Sequence, residues 1–201
     1  MISYGQFVAM SKEMAKEGGW VLTERASPFG GATTYLKTTV ELPIVGDLPR
    51  IEPSSSRICW EDDDEDAVAP AQPPATTTTS AVAEVTFYLC YSEAYQVPQL
   101  YFTGSIIRGD GVRSYLSSSD EWNAMVFGSL CETEVVVPST RPIIGTSYCE
   151  ELGLAAMSLH QCDTADMLKQ CDANKVKDPN TLRSWLRLLA PTLRLPHCLL
   201  N

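Results

Sequence analysis

Histidine is scarce: the chain holds two, His160 and His197, among 201 residues. Any hydrolase with a histidine base would have to be built on one of them, and no G-x-S-x-G elbow presents a serine nucleophile. No G-x-x-x-x-G-K-[ST] loop cradles a phosphate, so no nucleotide cofactor is expected. Positive charge is also short, with 15 Lys and Arg against 25 Asp and Glu and a formal net charge of −10. Nucleic-acid phosphates need clustered cations, and so does an anionic membrane surface, so neither is an expected partner. No run approaches the ~20 apolar residues of a membrane span. The opening MISYGQFVAMSKEMAKEGG lacks the unbroken apolar stretch of a signal peptide. None of the seven cysteines forms a CxxC, and their number is odd, which gives neither a disulfide framework nor a zinc ribbon. The spacing of His160, Cys162, His197 and Cys198 is not that of a known ligand pair, so no metal is expected. Reduced thiols and a cytoplasmic location are the expectation.

What is present is a core. Hydrophobic residues make up 44% of the chain, enough for one domain of this length. Ser3 and Gln6 have the spacing of a capping box, and Phe7, Met10 and Met14 recur at helical intervals before Gly18 and Gly19. These predict a helix over roughly 4–17. Trp20 to Arg25 and Tyr35 to Leu42 read as strands, the second with Leu36, Thr38, Val40 and Leu42 on one face, joined by the turn chemistry of Pro28 to Gly31. From Pro43 to Ala83 the composition shifts to repeated proline, the acidic run Glu61 to Asp66, and APAQPPATTTTSAVA. Such a segment buries too little to offset backbone entropy, so 43–83 is expected to be a disordered insertion within the one domain.

Order is expected to resume with strands at Val85 to Ser92 and Gln99 to Ile107. Next come a short helix capped by Ser119-Asp120 and carrying Trp122, Met125 and Val126, and a strand at Glu134 to Val137. Asp178-Pro179 reads as the start of a last helix with Leu182, Trp185, Leu186 and Leu189 on one stripe, ended by Pro191. Helix, meander and terminal helices predict an α+β domain.

Cys162 stands apart from the other thiols. Residues 154–160 have a strand-compatible pattern, and Met167, Leu168 and Cys171 fit one face of a following helix. Asp163 or Thr164 is the expected N-cap, which places Cys162 where the helix dipole favours a thiolate. In an extended segment His160 would share its side, while Asp163 opposes a second negative charge. The alternative is a small buried hydrophobe, the common fate of a free cysteine. Cys90 and Cys171 read as core, and Cys198 as an exposed tail thiol.

The run Tyr91-Ser92-Glu93-Ala94-Tyr95-Gln96-Val97-Pro98-Gln99-Leu100-Tyr101-Phe102 resembles the YS-x-x-YQVP-x-LYF strand–turn–strand of the autophagy-related protein 10 family. Leu159-His160-Gln161-Cys162 resembles that family's L-H-P-C motif, and Arg141 to Gly145 its H-P-x-x-G segment. Leu182 to Leu186 with Ala190-Pro191 is similar to its last helix. The resemblance covers about 85–104 and 141–191. It implies an E2-like fold and a thioester-forming Cys162, with His160, Asp163 and Thr164 as supporting candidates. Tyr91, Ser92 and Tyr95 become candidates for contact with an acceptor. It also implies three partners: the ubiquitin-like modifier autophagy-related protein 12, the E1-like autophagy-related protein 7, and the acceptor autophagy-related protein 5. Gln161 departs from the family's proline, which is expected to loosen the backbone before the nucleophile, and Arg141 departs from a histidine. Thr146 to Ala156 is longer than usual. Two other readings remain: a relative of autophagy-related protein 3, which conjugates its modifier to phosphatidylethanolamine, and a non-catalytic adaptor using the YQVP strand as a binding edge.

Overall fold

The computed structural model describes residues 2–26, 32–44, 81–127, 144–150, 152–173 and 180–200. The turn at Pro28–Gly31, the strand expected at Glu134–Val137 and most of the 43–83 insertion lie outside them. Helix α1 (Tyr4–Glu17) starts on the expected capping box: the Ser3 hydroxyl accepts from the Gln6 amide and the Gln6 side chain accepts from the Ser3 amide. Strands β1 (Val21–Ala26), β2 (Ala32–Pro43), β3 (Ala81–Ser92) and β4 (Val97–Arg108) follow as an antiparallel meander.

The expected disorder over 43–83 is too wide at both ends, because Pro43 pairs with Val82 and Leu42 with Ala83. Val85 and Ala83 are both fully buried, so the apolar alternation of β3 begins before the aromatic run that marks it in the sequence. A short β5 (Arg113–Tyr115) and a hairpin of β6 (Ile144–Cys149) and β7 (Leu154–Leu159) complete a seven-stranded sheet in the order β1-β2-β3-β4-β7-β6, with β5 also on β4. Neither β5 nor β6 was expected.

Helix α2 (Ser119–Trp122) is capped by Ser118 rather than Ser119-Asp120, because Glu121, three residues on, closes the box by accepting from the Ser118 amide. A π-helical turn at Asn123–Phe127 continues it. After β7 comes α3 (Gln161–Ala173), then α4 (Thr181–Leu193). The cap of α4 is Asn180, not Asp178: its side chain accepts from the Arg183 amide and donates to the Met10 carbonyl, so one residue both starts α4 and ties it to α1. Pro191 lies inside α4, which runs on to Leu193 before Arg194 turns left-handed. Pro191 has no N–H and so cannot make the i→i−4 bond of an ordinary helical residue.

The helices cover one face of the sheet. Phe7, Phe87, Phe102, Trp122 and Trp185 are each fully buried there. Phe102 meets Trp122 edge-on at 5.0 Å between centroids, the geometry ring quadrupoles favour. A smaller cluster of Cys90, Tyr101, Cys149, Leu152 and Ala156, with Tyr35 and Tyr88 packed on it, fills the opposite face. β7 pairs with β4 only at Tyr101–Ser158 and Phe102–Met157. Beyond that contact the hairpin departs from β4, and its tip is held by Arg25 of β1, which donates to the Leu152 carbonyl at 2.7 Å.

Candidate active site

The site is built where β7 hands over to α3. β7 runs antiparallel to β4, and Leu159 at its end is buried in the main core. His160 is the single residue between strand and helix. The helix therefore begins at Gln161, earlier than Asp163 or Thr164 could cap it, and Cys162 is its second residue. His160 fills the capping role: its carbonyl accepts from the Asp163 amide at 3.1 Å and the Thr164 amide at 3.3 Å. Its ring Nδ1 accepts from the Cys162 amide at 3.3 Å, which assigns the neutral ring proton to Nε2. The contact between His160 and Cys162 thus runs from ring to backbone amide, not across one face of an extended strand.

Cys162 is exposed at the first turn of α3, the end of a helix where backbone N–H groups lack intrahelical partners. Asp163 shares that turn. Thr164 points inward, 1% exposed, and its hydroxyl finds no partner among the described residues. Cys90, Cys149 and Cys171 are buried, whereas Cys198 is exposed in the final turn. Cys59 and Cys131 lie outside the described residues.

Gln161, expected to slacken this corner, is anchored. Its Nε2 donates to the Oε1 of Gln99 at 3.0 Å, and Gln99 is 4% exposed on β4. The sequence reading missed Gln99; the available signal was a polar residue inside the apolar strand Val97 to Phe102. A cleft of about 200 Å³ opens beside the corner, lined by Gln99, Gly145, Thr146, Ser158, His160 and Gln161.

The β3–β4 turn lies at the same end of the sheet, since Cys90 pairs with Gln99 and Ser92 with Val97. Tyr95 at that turn is 54% exposed and Ser92 is half-buried. Tyr91, expected at an acceptor surface, is instead 7% exposed. Its hydroxyl donates to the Ile2 carbonyl at 2.8 Å, and its ring packs on Tyr4 and Phe7 of α1. Burial, followed by the nearby Glu93 charge, raises its phenol above the ordinary value of 10.0. Among the described residues no three His, Cys, Asp or Glu side chains converge as a metal site.

An antiparallel meander with a helix before it and helices after it is the arrangement of an E2-like fold. The family profile described as autophagocytosis associated protein, active-site domain, matches residues 6–198, and the chain belongs to that family of autophagy E2-like conjugating enzymes. The profile spans autophagy-related proteins 3 and 10 alike. No curated protein matches the chain. Among the described residues no helix is long and apolar enough to cross a membrane.

Proposed function

We propose that Cys162 accepts a ubiquitin-like modifier as a thioester from an E1-like enzyme and passes it to a lysine of an acceptor protein. In the closest reading of the motifs, the modifier is autophagy-related protein 12, the E1-like enzyme autophagy-related protein 7 and the acceptor autophagy-related protein 5. The observation that carries this is the exposed Cys162 thiol at the first turn of α3, in a chain of this family.

The Cys162 thiolate attacks the carbonyl carbon of the incoming thioester, and the thiolate of the E1-like enzyme leaves. One thioester replaces another, so the step is nearly balanced and needs little acid–base power. In the second step a neutral lysine amine attacks the same carbon, the Cys162 thiolate departs, and the amine loses its proton as the amide forms. That step depends on holding the amine close. Asp163, the next residue, is the carboxylate suited to orient the lysine. Ser92 and Tyr95 are the acceptor contacts, with Tyr91 supporting them from the core. The YQVP-x-LYF strand–turn–strand favours a protein acceptor over phosphatidylethanolamine.

Mixing the protein with the E1-like enzyme, modifier and ATP should give an adduct that reducing agent removes. Cys162→Ala should give none, and Cys162→Ser only a trace that resists thiols and yields to strong base, since a hydroxyl is barely ionised. Both variants should stay within about 1 kcal/mol of wild-type stability, because the side chain is exposed. A reducible adduct on folded Cys162→Ala would move the nucleophile to another thiol. Offering autophagy-related protein 5 and phosphatidylethanolamine vesicles to the loaded enzyme separates the two acceptors.

A further inference from the structure

The first residue of a helix is a weak point. Its amide has no intrahelical partner, and its backbone is fixed on one side only. Proline is favoured there because its ring presets the helical φ. Gln161 occupies this position in α3 and has no such ring. Its side-chain amide instead spans 62 residues of sequence to reach the carboxamide oxygen of Gln99. By strand alternation Gln99 shares the face of Tyr101, opposite the helices, so the bond ties the helix start to the far side of the central strand. Gln99 is almost wholly buried, so its amide depends on close partners such as Gln161. On the other side of Gln161, the His160 ring holds the amide of Cys162 itself. The backbone carrying the thiol is thereby clamped before and at the nucleophile.

We propose that Gln99 and Gln161 form a side-chain latch that positions Cys162, doing through a long-range amide pair what a proline at the first helical position does through its ring. Both are positioning residues; neither touches the reacting atoms. The proposal rests on Cys162 being the acyl carrier, but its geometry is readable from the thiol alone.

The test is a cycle on the full chain comprising Gln161→Ala, Gln99→Leu, Gln161→Pro and the double variant Gln99→Leu with Gln161→Pro. Two rates are followed: alkylation of Cys162 by limiting iodoacetamide, mapped by peptide, and single-turnover transfer from the loaded enzyme to its acceptor lysine. Gln161→Ala and Gln99→Leu should each slow transfer about tenfold, the order of effect expected when a reacting group loses its alignment. They should also change the alkylation rate by the same factor as each other, since each removes the same bond. Gln161→Pro should restore both rates to near wild type, and in that background Gln99→Leu should have no further effect on either.

A general structural role for Gln99 would predict equal losses in both backgrounds, and that result overturns the latch. So does a Gln161→Ala variant with wild-type rates. If Gln99→Leu fails to fold, Gln161→Ala against Gln161→Pro decides alone, because a latch requires the proline to rescue what the alanine loses. If wild-type protein forms no adduct, the conjugation reading fails while the alkylation arm still decides the latch.

Discussion

Glu121 shows how a single surface carboxylate supports the core beneath the site. Its Oε2 accepts from the Ser117 amide at 2.8 Å and the Ser118 amide at 3.1 Å. Those two backbone bonds, Ser117 first, hold its carboxyl below the ordinary value of 4.5. A carboxylate with a depressed folded-state pKa contributes its full stability above its unfolded value, and loses it as pH falls through the folded one. Glu121→Ala should therefore cost about 1 kcal/mol at pH 7, as other lost caps do, and the gap to wild type should close as pH falls below the unfolded value and through the depressed folded one. Urea melts over a series from neutral into acid pH measure it; a gap that stays constant throughout would remove the ionised carboxylate from the account. The box was only half legible, since Ser117, Ser118 and Ser119 are chemically alike and the register is chosen by Trp122 finding its buried place against Phe102. The cap of α3 misled in the same way. Asp163 and Thr164 carry the right chemistry, but Gln161 enters the helix through a partner far away in sequence.

Among the elements, β4 does most to position the site. It pairs along its whole length with β3 and on its other edge with both β5 and β7. Midway along it, Gly104 lets Trp122 lie against the strand: a Cβ there would fall 2.5 Å from Trp122 Cη2 and 3.0 Å from the Glu84 carbonyl oxygen. Trp122 is fully buried and cannot swing aside. Gly104→Ala should destabilise by about 2 kcal/mol, the usual scale of overpacking, read as a lower urea midpoint; an unchanged midpoint would show that the ring has room. The meander and α1 were readable because their periodicities of two and 3.6 are local. Of the β6–β7 hairpin only β7 was readable, as the strand-compatible 154–160; its pairing with β4 spans two residue pairs and its outer cluster joins Cys90 to Cys149 and Leu152 across the sheet.

For the whole molecule, the segment between β2 and β3 is where the chain should tolerate shortening. Pro43 and Val82 already lie opposite each other, so the connection needs only to close a hairpin, and closure entropy changes slowly with loop length. A deletion joining Glu61 to Ser80 should melt within about 1 kcal/mol of wild type and still form the Cys162 adduct. Normal folding with lost loading would assign the segment a part in receiving the modifier. The segment between β2 and β3 stood out in the sequence because its composition departs so sharply from that of the flanking strands. The closure of the domain did not.

That closure joins the two ends of the described chain. The Trp20 indole donates to the Leu199 carbonyl at 3.0 Å, Asn180 holds the Met10 carbonyl, and Arg183 pairs with Glu17. During synthesis α1 leaves the ribosome roughly 10–35 s before α4 at ordinary elongation rates. For that interval Phe7 and Met14 have no helix to cover them. These pairs, 170 residues apart for Asn180–Met10 and 166 for Arg183–Glu17, form only once α4 has been made. A chain interrupted before Thr181 is left with an apolar groove that its own sequence can no longer fill.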